Sequence, residues 1–477
     1  MNPIKALGYS AFEKIIRAIV NIAFIAFIGR FLLPAELGIF AILWAIYQLV
    51  QSFFGSTIVN AYLRSDKSLD ITKILFAASV LVGLFGFLLF TAIQPLVEII
   101  FSISFIWHNY FFISIVLFLL PINSYLRGIL QGRSDFDKIA ILELMTLSIS
   151  VFVSIVLLIQ GYGIFALCFK YLTESIASII AYVFILKIRP GLKFTLFSKE
   201  ILPLLRYAFG LSTARLSGAM SANLTSLFVG YLFTLQYVAY FSYSITLAKI
   251  PDNLFRTMVT SPALTYLGKY KGDLLYEKCQ LIASAILFFA MVPAILIVVA
   301  GDDLLLILMG PQWKEFAPLF QIIGFFAISQ VLKGWLTILY INFMDMTAWN
   351  KITFLELILI CALMAISFFF QFSIISFVQW FSFVELGLWI IIYIFSNIRF
   401  SPKRPNLIQR FVDLKLLLIP AVIIIFLMQI NISFDVILLN ITIYLILILC
   451  MSLLLTYIFD RASINHLSRL CKDLFDN

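Results

Sequence analysis

The chain has 477 residues, of which 63% are hydrophobic and 12% charged, with a formal net charge of +9. At a mean hydropathy of +1.08 it carries more apolar surface than a soluble core can absorb, so the sequence specifies an integral membrane protein. Five cysteines (Cys168, Cys279, Cys361, Cys450, Cys471) without CxxC spacing and two distant histidines, His108 and His466, support neither a disulfide framework nor a metal centre. The basic residues concentrate in short loops, which is a membrane pattern and not a nucleic-acid surface.

The apolar runs are mostly long enough to span and lack the alternating polarity of barrel strands, which predicts an all-α polytopic protein. In chain order the expected spans are 9–33, 37–63, 73–97, 107–130, 139–160, 162–187, 201–232, 236–267, 273–299, 315–341, 350–370, 374–398, 414–430 and 435–458. That makes about fourteen transmembrane helices. Lysine and arginine alternate with this count: Arg64/Lys67/Lys73, Arg133/Lys138, Lys187/Arg189/Lys193/Lys199, Lys269/Lys271/Lys278, Lys351, Arg399/Lys403/Arg404/Arg410 and Arg461/Arg469/Lys472 fall on one side, with Arg30 and Lys314 the main exceptions on the other. Both termini are therefore expected in the cytoplasm.

The chain also repeats itself. Lys138-Ile139-Ala140-Ile141-Leu142-Glu143-Leu144 returns as Lys351-Ile352-Thr353-Phe354-Leu355-Glu356-Leu357, each a cation followed five residues later by a carboxylate about 7 Å deeper along a helix. Leu126-Arg127-Gly128 matches Leu332-Lys333-Gly334, Trp107 matches Trp313, and Gly29 to Phe40 matches Gly230 to Phe241. The offset grows from 201 residues at Gly29/Gly230 to 213 at Lys138/Lys351, as small loop insertions would produce. Six helices per copy is an even number, so the two copies insert in parallel. The expected organisation is an N-lobe (1–190), a C-lobe (191–400), and an extra helix pair with a tail (401–477). A transport path is expected between parallel repeats near the midplane.

A charge near a helix centre costs about 2.5–3.5 kcal/mol on insertion scales, so deep charges are functional candidates. Lys249 and Arg256 flank Pro251, Asp252 and Asn253 in a span that proline should break. Arg215 lies mid-span among small and hydroxyl residues, and its counterpart in the first helix is Arg17, spaced to pair with Glu13. These four cations are the expected contacts for an anionic substrate; a local ion pair accounts for Arg17 as well. Lys170 and Glu174 are spaced at i, i+4, and Glu385 holds a similar place in the second copy. They are candidates for coupling to a proton or sodium ion, or for mutual neutralisation. Glu143 and Glu356 are candidates for gating or for tying their helix to the one carrying Arg127 or Lys333. No phosphate loop and no sizeable extramembrane loop is present in the sequence, so neither ATP hydrolysis nor another enzymatic activity is expected, and no cofactor.

Three stretches resemble a known family. They are Ile28-Gly29-Arg30-Phe31-Leu32-Leu33-Pro34-Ala35-Glu36-Leu37-Gly38-Ile39-Phe40, Tyr237 to Ser242 leading into Ile250-Pro251, and Leu308-Met309-Gly310-Pro311-Gln312-Trp313 followed by Ala317-Pro318-Leu319. The pattern resembles bacterial polysaccharide flippases of the Wzx type, especially the colanic-acid exporter branch. The resemblance implies two six-helix lobes with an extra helix pair, in the superfamily of the multidrug exporters and the peptidoglycan precursor flippase. It further implies translocation of undecaprenyl-diphosphate-linked sugars across the bacterial inner membrane by alternating access, with membrane lipids and polysaccharide-assembly proteins as partners. A diphosphate crossing hydrocarbon calls for arginine or lysine in a shielded, net positive cavity. The rival readings are a multidrug or cation antiporter, which would place acidic residues in that cavity, and a membrane-embedded polymerase or ligase.

Overall fold

A computed structural model describes residues 3–54, 57–64, 69–103, 107–133, 135–187, 219–221, 223–254, 267, 270–401, 414–429 and 437–459. The described residues are helical with short connections and contain no β-strand. The chain forms two compact units, Met1–Ser242 and Tyr243–Asn477, whereas the sequence repeat puts its boundary at 190/191.

Unit 1 contains α1 (Pro3–Phe31), α2 (Pro34–Phe54), α3 (Thr57–Arg64), α4 (Leu69–Phe101), α5 (Trp107–Gly132), α6 (Phe136–Ile159) and α7 (Ile164–Leu186). A helix that starts in unit 1, α8 (Leu235–Ala248), leads into unit 2. There follow α9 (Gly272–Ile286), a π-helical turn (Leu287–Met291), α10 (Val292–Met309), α11 (Ala317–Asn342), α12 (Met346–Phe369), α13 (Ile374–Phe400), α14 (Lys415–Gln429) and α15 (Ile437–Phe459).

The two units repeat one packing order. In unit 1, α4 packs on α5, α5 on α7 and α7 on α6; in unit 2, α10 packs on α11, α11 on α13 and α13 on α12. These are the helices that the sequence repeat pairs with one another. Outside the repeat, α15 packs on both α10 and α14. Among the described residues, ten helices are long and apolar enough to cross a membrane, and Lys415–Gln429 is a shorter apolar one. The expected spans at 201–232 and 236–267 fall partly outside the described residues.

The motifs behind the family resemblance set helix ends and close contacts. Pro34 opens α2, where a missing N–H is harmless, and Glu36 Oε2 accepts the Leu33 N–H at 3.0 Å, half of a capping box. Gly38 lies against the Leu235 carbonyl so closely that a Cβ would collide with backbone. Gly38→Ala is expected to cost about 1–3 kcal/mol, seen as a lower midpoint of thermal unfolding by tryptophan fluorescence in detergent; an unchanged midpoint would contradict that contact. Gly310, at φ +92, ends α10, and Pro311 starts the 3-10 turn that buries Trp313 beside Tyr243.

The repeated Lys-to-Glu segment begins at the third residue of α6 and at the sixth of α12. Asp135 and Asp345 occupy the same place before each helix, with closely similar backbone angles. Lys138 is exposed and pairs with Asp135 at 3.0 Å; Lys351 is also exposed. The carboxylates five residues on point inward: the Glu356 side chain is 2% exposed and that of Glu143 13%.

Candidate functional site

Each unit holds a charge network among its helices, and most of the sequence candidates fall in one or the other. Arg17 is near the middle of the 29-residue α1, some 20 Å from either end at helical rise. Its guanidinium meets three carboxylates: Glu13 Oε1 at 2.7 Å, Glu174 Oε1 at 3.0 Å and Glu143 Oε2 at 3.4 Å. The Glu143 carbonyl lies 3.4 Å from Nη2 as well. The i, i+4 pair with Glu13 was legible from spacing. The bonds to α6 and α7 span 126 and 157 residues of chain and join three helices.

Glu143 and Glu174 each have a second cation. Arg127 Nε on α5 lies 2.7 Å from Glu143 Oε1, a close ion pair whose N–H is not aimed along a hydrogen bond, and the Tyr182 hydroxyl donates to the same oxygen at 3.2 Å. Lys170, almost fully buried, lies 3.5 Å from Glu174 Oε2. Its ammonium also sits over the rings of Tyr171 at 4.3 Å and Phe24 at 5.3 Å. The described network thus balances three cations (Arg17, Arg127, Lys170) against three carboxylates (Glu13, Glu143, Glu174).

In unit 2 the expected tie between repeated segments is a short one. Lys333 Nζ on α11 donates to both oxygens of Glu356 on α12, at 2.6 and 2.8 Å. The same ammonium lies 5.1 Å from the Trp389 ring centre, and Trp389 Nε1 donates to buried Glu385 at 3.1 Å. Trp389 therefore stands between a cation on its face and a carboxylate on its edge, which suits the ring quadrupole. The helix break expected at Pro251 is present. α8 ends at Ala248, Lys249 forms a turn, and helical structure resumes at 250–254 with the Asn253 N–H bonded to the Lys249 carbonyl at 3.0 Å. Pro251 has no N–H for the carbonyl four residues earlier, which accounts for the interruption. Lys249 Nζ lies 5.5 Å from the Phe326 ring centre and shares its electrostatic surroundings with Lys333, Glu385, Glu356 and Asp252. Asp252 presses an oxygen onto Gly334, leaving no room there for a Cβ.

Unit 1 therefore brings together Arg17, Glu143, Lys170 and Glu174, and unit 2 brings together Lys249, Glu356 and Glu385. Arg215 and Arg256 lie outside the described residues, and the expectation of a net positive cavity leans on them. Among the described residues no cluster of histidine, cysteine and carboxylates could hold a metal ion.

Two residues escaped the sequence reading. Buried Lys415 reads as an interfacial basic residue before a span, yet its ammonium donates to the Gln280 carbonyl at 2.9 Å and to Ser284 Oγ at 2.7 Å, fixing α14 to α9. Asn397 accepts from Tyr276 and Gln280, fixing α13 to the same helix.

A family model described as polysaccharide biosynthesis protein matches residues 27–318, well over half of the chain. The chain belongs to this polysaccharide biosynthesis family. Among curated relatives, the succinoglycan biosynthesis transport protein ExoT of Rhizobium meliloti (strain 1021) is 20% identical to this family member over 343 residues. The match covers 69% of this chain and 66% of ExoT, so just under two thirds of that relative's length is spanned. Among solved structures, the lipid II flippase MurJ in an inward closed conformation aligns with a TM-score of 0.69 at 14% identity, over 97% of this chain and 100% of that one. An inward-facing multidrug resistance MATE family transporter of the MOP superfamily aligns with a TM-score of 0.63 at 13% identity, over 82% and 98% of the two chains. At these identities the likeness is one of fold.

Proposed function

We propose that this family member is a flippase that moves undecaprenyl-diphosphate-linked oligosaccharide repeat units across the cytoplasmic membrane by alternating access. The observation that carries the reading is Arg17, a partly accessible guanidinium midway along a helix of a polytopic member of the polysaccharide biosynthesis family. An arginine fork is suited to a diphosphate, and a cation that reaches across to two other apolar helices needs a reason. On this reading Arg17, Arg215, Lys249 and Arg256 contact the diphosphate or acidic sugars. Lys170, Glu174 and Glu385 are the candidates for coupling to a proton or sodium ion, and the Glu143 and Glu356 pairs for gating. Both termini face the cytoplasm, and the lipid tail stays in the bilayer. The similarity to ExoT, a succinoglycan biosynthesis transport protein, and in fold to MurJ, a lipid II flippase, supports this class of substrate.

The likeness to a multidrug transporter supports a second reading, since Arg17, Lys170, Lys249 and Lys333 all have carboxylate neighbours. The deciding experiment follows a fluorescent undecaprenyl-diphosphate oligosaccharide across proteoliposome membranes, in wild type and in Arg215→Ala and Arg256→Ala. Movement by the wild type that either substitution abolishes, in protein with normal unfolding behaviour, supports the flippase. No movement of the lipid, together with efflux of a cationic dye, overturns it in favour of the antiporter.

A further inference from the structure

Arg17 can leave the unit 1 network without stranding the carboxylates of other helices. Glu143 would keep Arg127 at 2.7 Å and the Tyr182 hydroxyl at 3.2 Å. Glu174 would keep Lys170, which its two aromatic rings hold in place. Glu13 is on the same helix as Arg17 and pairs with Nε, leaving the two terminal nitrogens of the guanidinium to face Glu143 and Glu174. Those terminal nitrogens form the edge of the fork that a diphosphate would take. At 29% side-chain exposure Arg17 is also the more accessible member of each of these pairs. A buried carboxylate deprived of its only cation would oppose such a move strongly. Unit 2 shows the contrast: among the described residues Lys333 alone lies within ion-pair distance of Glu356, and it occupies both oxygens.

We propose that Arg127 and Lys170 are reserve cations: positioning residues that hold Glu143 and Glu174 when Arg17 exchanges those carboxylates for the anionic headgroup of a lipid diphosphate. The substrate then takes Arg17 by replacing the protein's own anions, and the network closes behind it. This rests on the flippase reading. Neither residue touches the substrate; each acts by setting how tightly Arg17 is held.

The test is binding of undecaprenyl diphosphate to the detergent-solubilised full chain, titrated by native mass spectrometry. With Arg127→Gln, Glu143 depends on Arg17, and binding is expected to weaken about tenfold, the size of one charged hydrogen bond. Arg127→Lys keeps a cation and should bind like wild type. The double variant Arg127→Gln/Glu143→Gln no longer needs a reserve and should regain wild-type affinity. A merely structural Arg127 predicts the opposite, with the double variant no better than the single one, and that result would overturn the proposal. Lys170→Gln against Lys170→Gln/Glu174→Gln makes the same comparison if Arg127→Gln does not fold. Wild-type protein that fails to bind the lipid at all would instead overturn the flippase reading, and the exchange with it.

Discussion

Methionine in place of Lys333 is expected to lower unfolding stability by about 3–5 kcal/mol, because it strands a carboxylate that has no other cation within ion-pair reach among the described residues. Glu356 is 2% exposed, and water cannot take over from the ammonium. Removing both charges together, as Lys333→Met/Glu356→Leu, should return stability to within about 1 kcal/mol of wild type, since the double variant avoids the desolvation of both ions. The matching substitution in the other copy, Arg127→Met, should cost only about 1 kcal/mol: Arg127 is 43% exposed at its side chain, and Glu143 retains Arg17 and Tyr182. Denaturant titration in mixed micelles measures all three. Equal costs for Lys333→Met and Arg127→Met would show that the two copies are not differently wired.

The sequence showed those two ties in advance because the repeat exposed them. A lysine and a glutamate at fixed spacing, found twice, pick out one face of one helix, and Arg127 and Lys333 recur at the depth where that face needs a partner. The ten long apolar helices among the described residues were legible for a similar reason, since hydrophobic length is a property of local sequence. The bonds from Arg17 to Glu143 and Glu174 were not legible. They depend on the rotation of α1 about its axis relative to α6 and α7, which packing sets and which no local pattern encodes. Lys415 went unnoticed for a different reason: a basic residue at the start of an apolar run usually reaches water, and here the α9 groups Gln280 and Ser284 help make its burial tolerable. The π-helical turn at Leu287–Met291 did leave a trace in Pro293. A proline there cannot bond to the carbonyl of Phe289, and widening the turn, with the Val292 N–H reaching Leu287, relieves the clash.

Arg17→Gln is expected to reduce lipid-linked oligosaccharide flipping by about 10- to 100-fold, the range for loss of a charge-assisted bond to a diphosphate, while leaving a folded protein. The fold should tolerate it because Glu143 and Glu174 fall back on Arg127, Tyr182 and Lys170, so that Glu13 alone loses its cation. Glu13 is itself buried, and Arg17→Gln/Glu13→Gln should recover the thermal midpoint lost by the single variant. It should not recover transport, because the cation that faces the substrate is still missing. Lysine at position 17 should fall between the two, since it restores a charge without the planar fork that grips two oxygens at once. The flipping assay and the unfolding midpoint, read on the same preparations, separate the two roles of Arg17. If transport returns together with stability in the double variant, Arg17 serves only to bind α1 to α6 and α7, and the anion must be met by cations elsewhere in the chain.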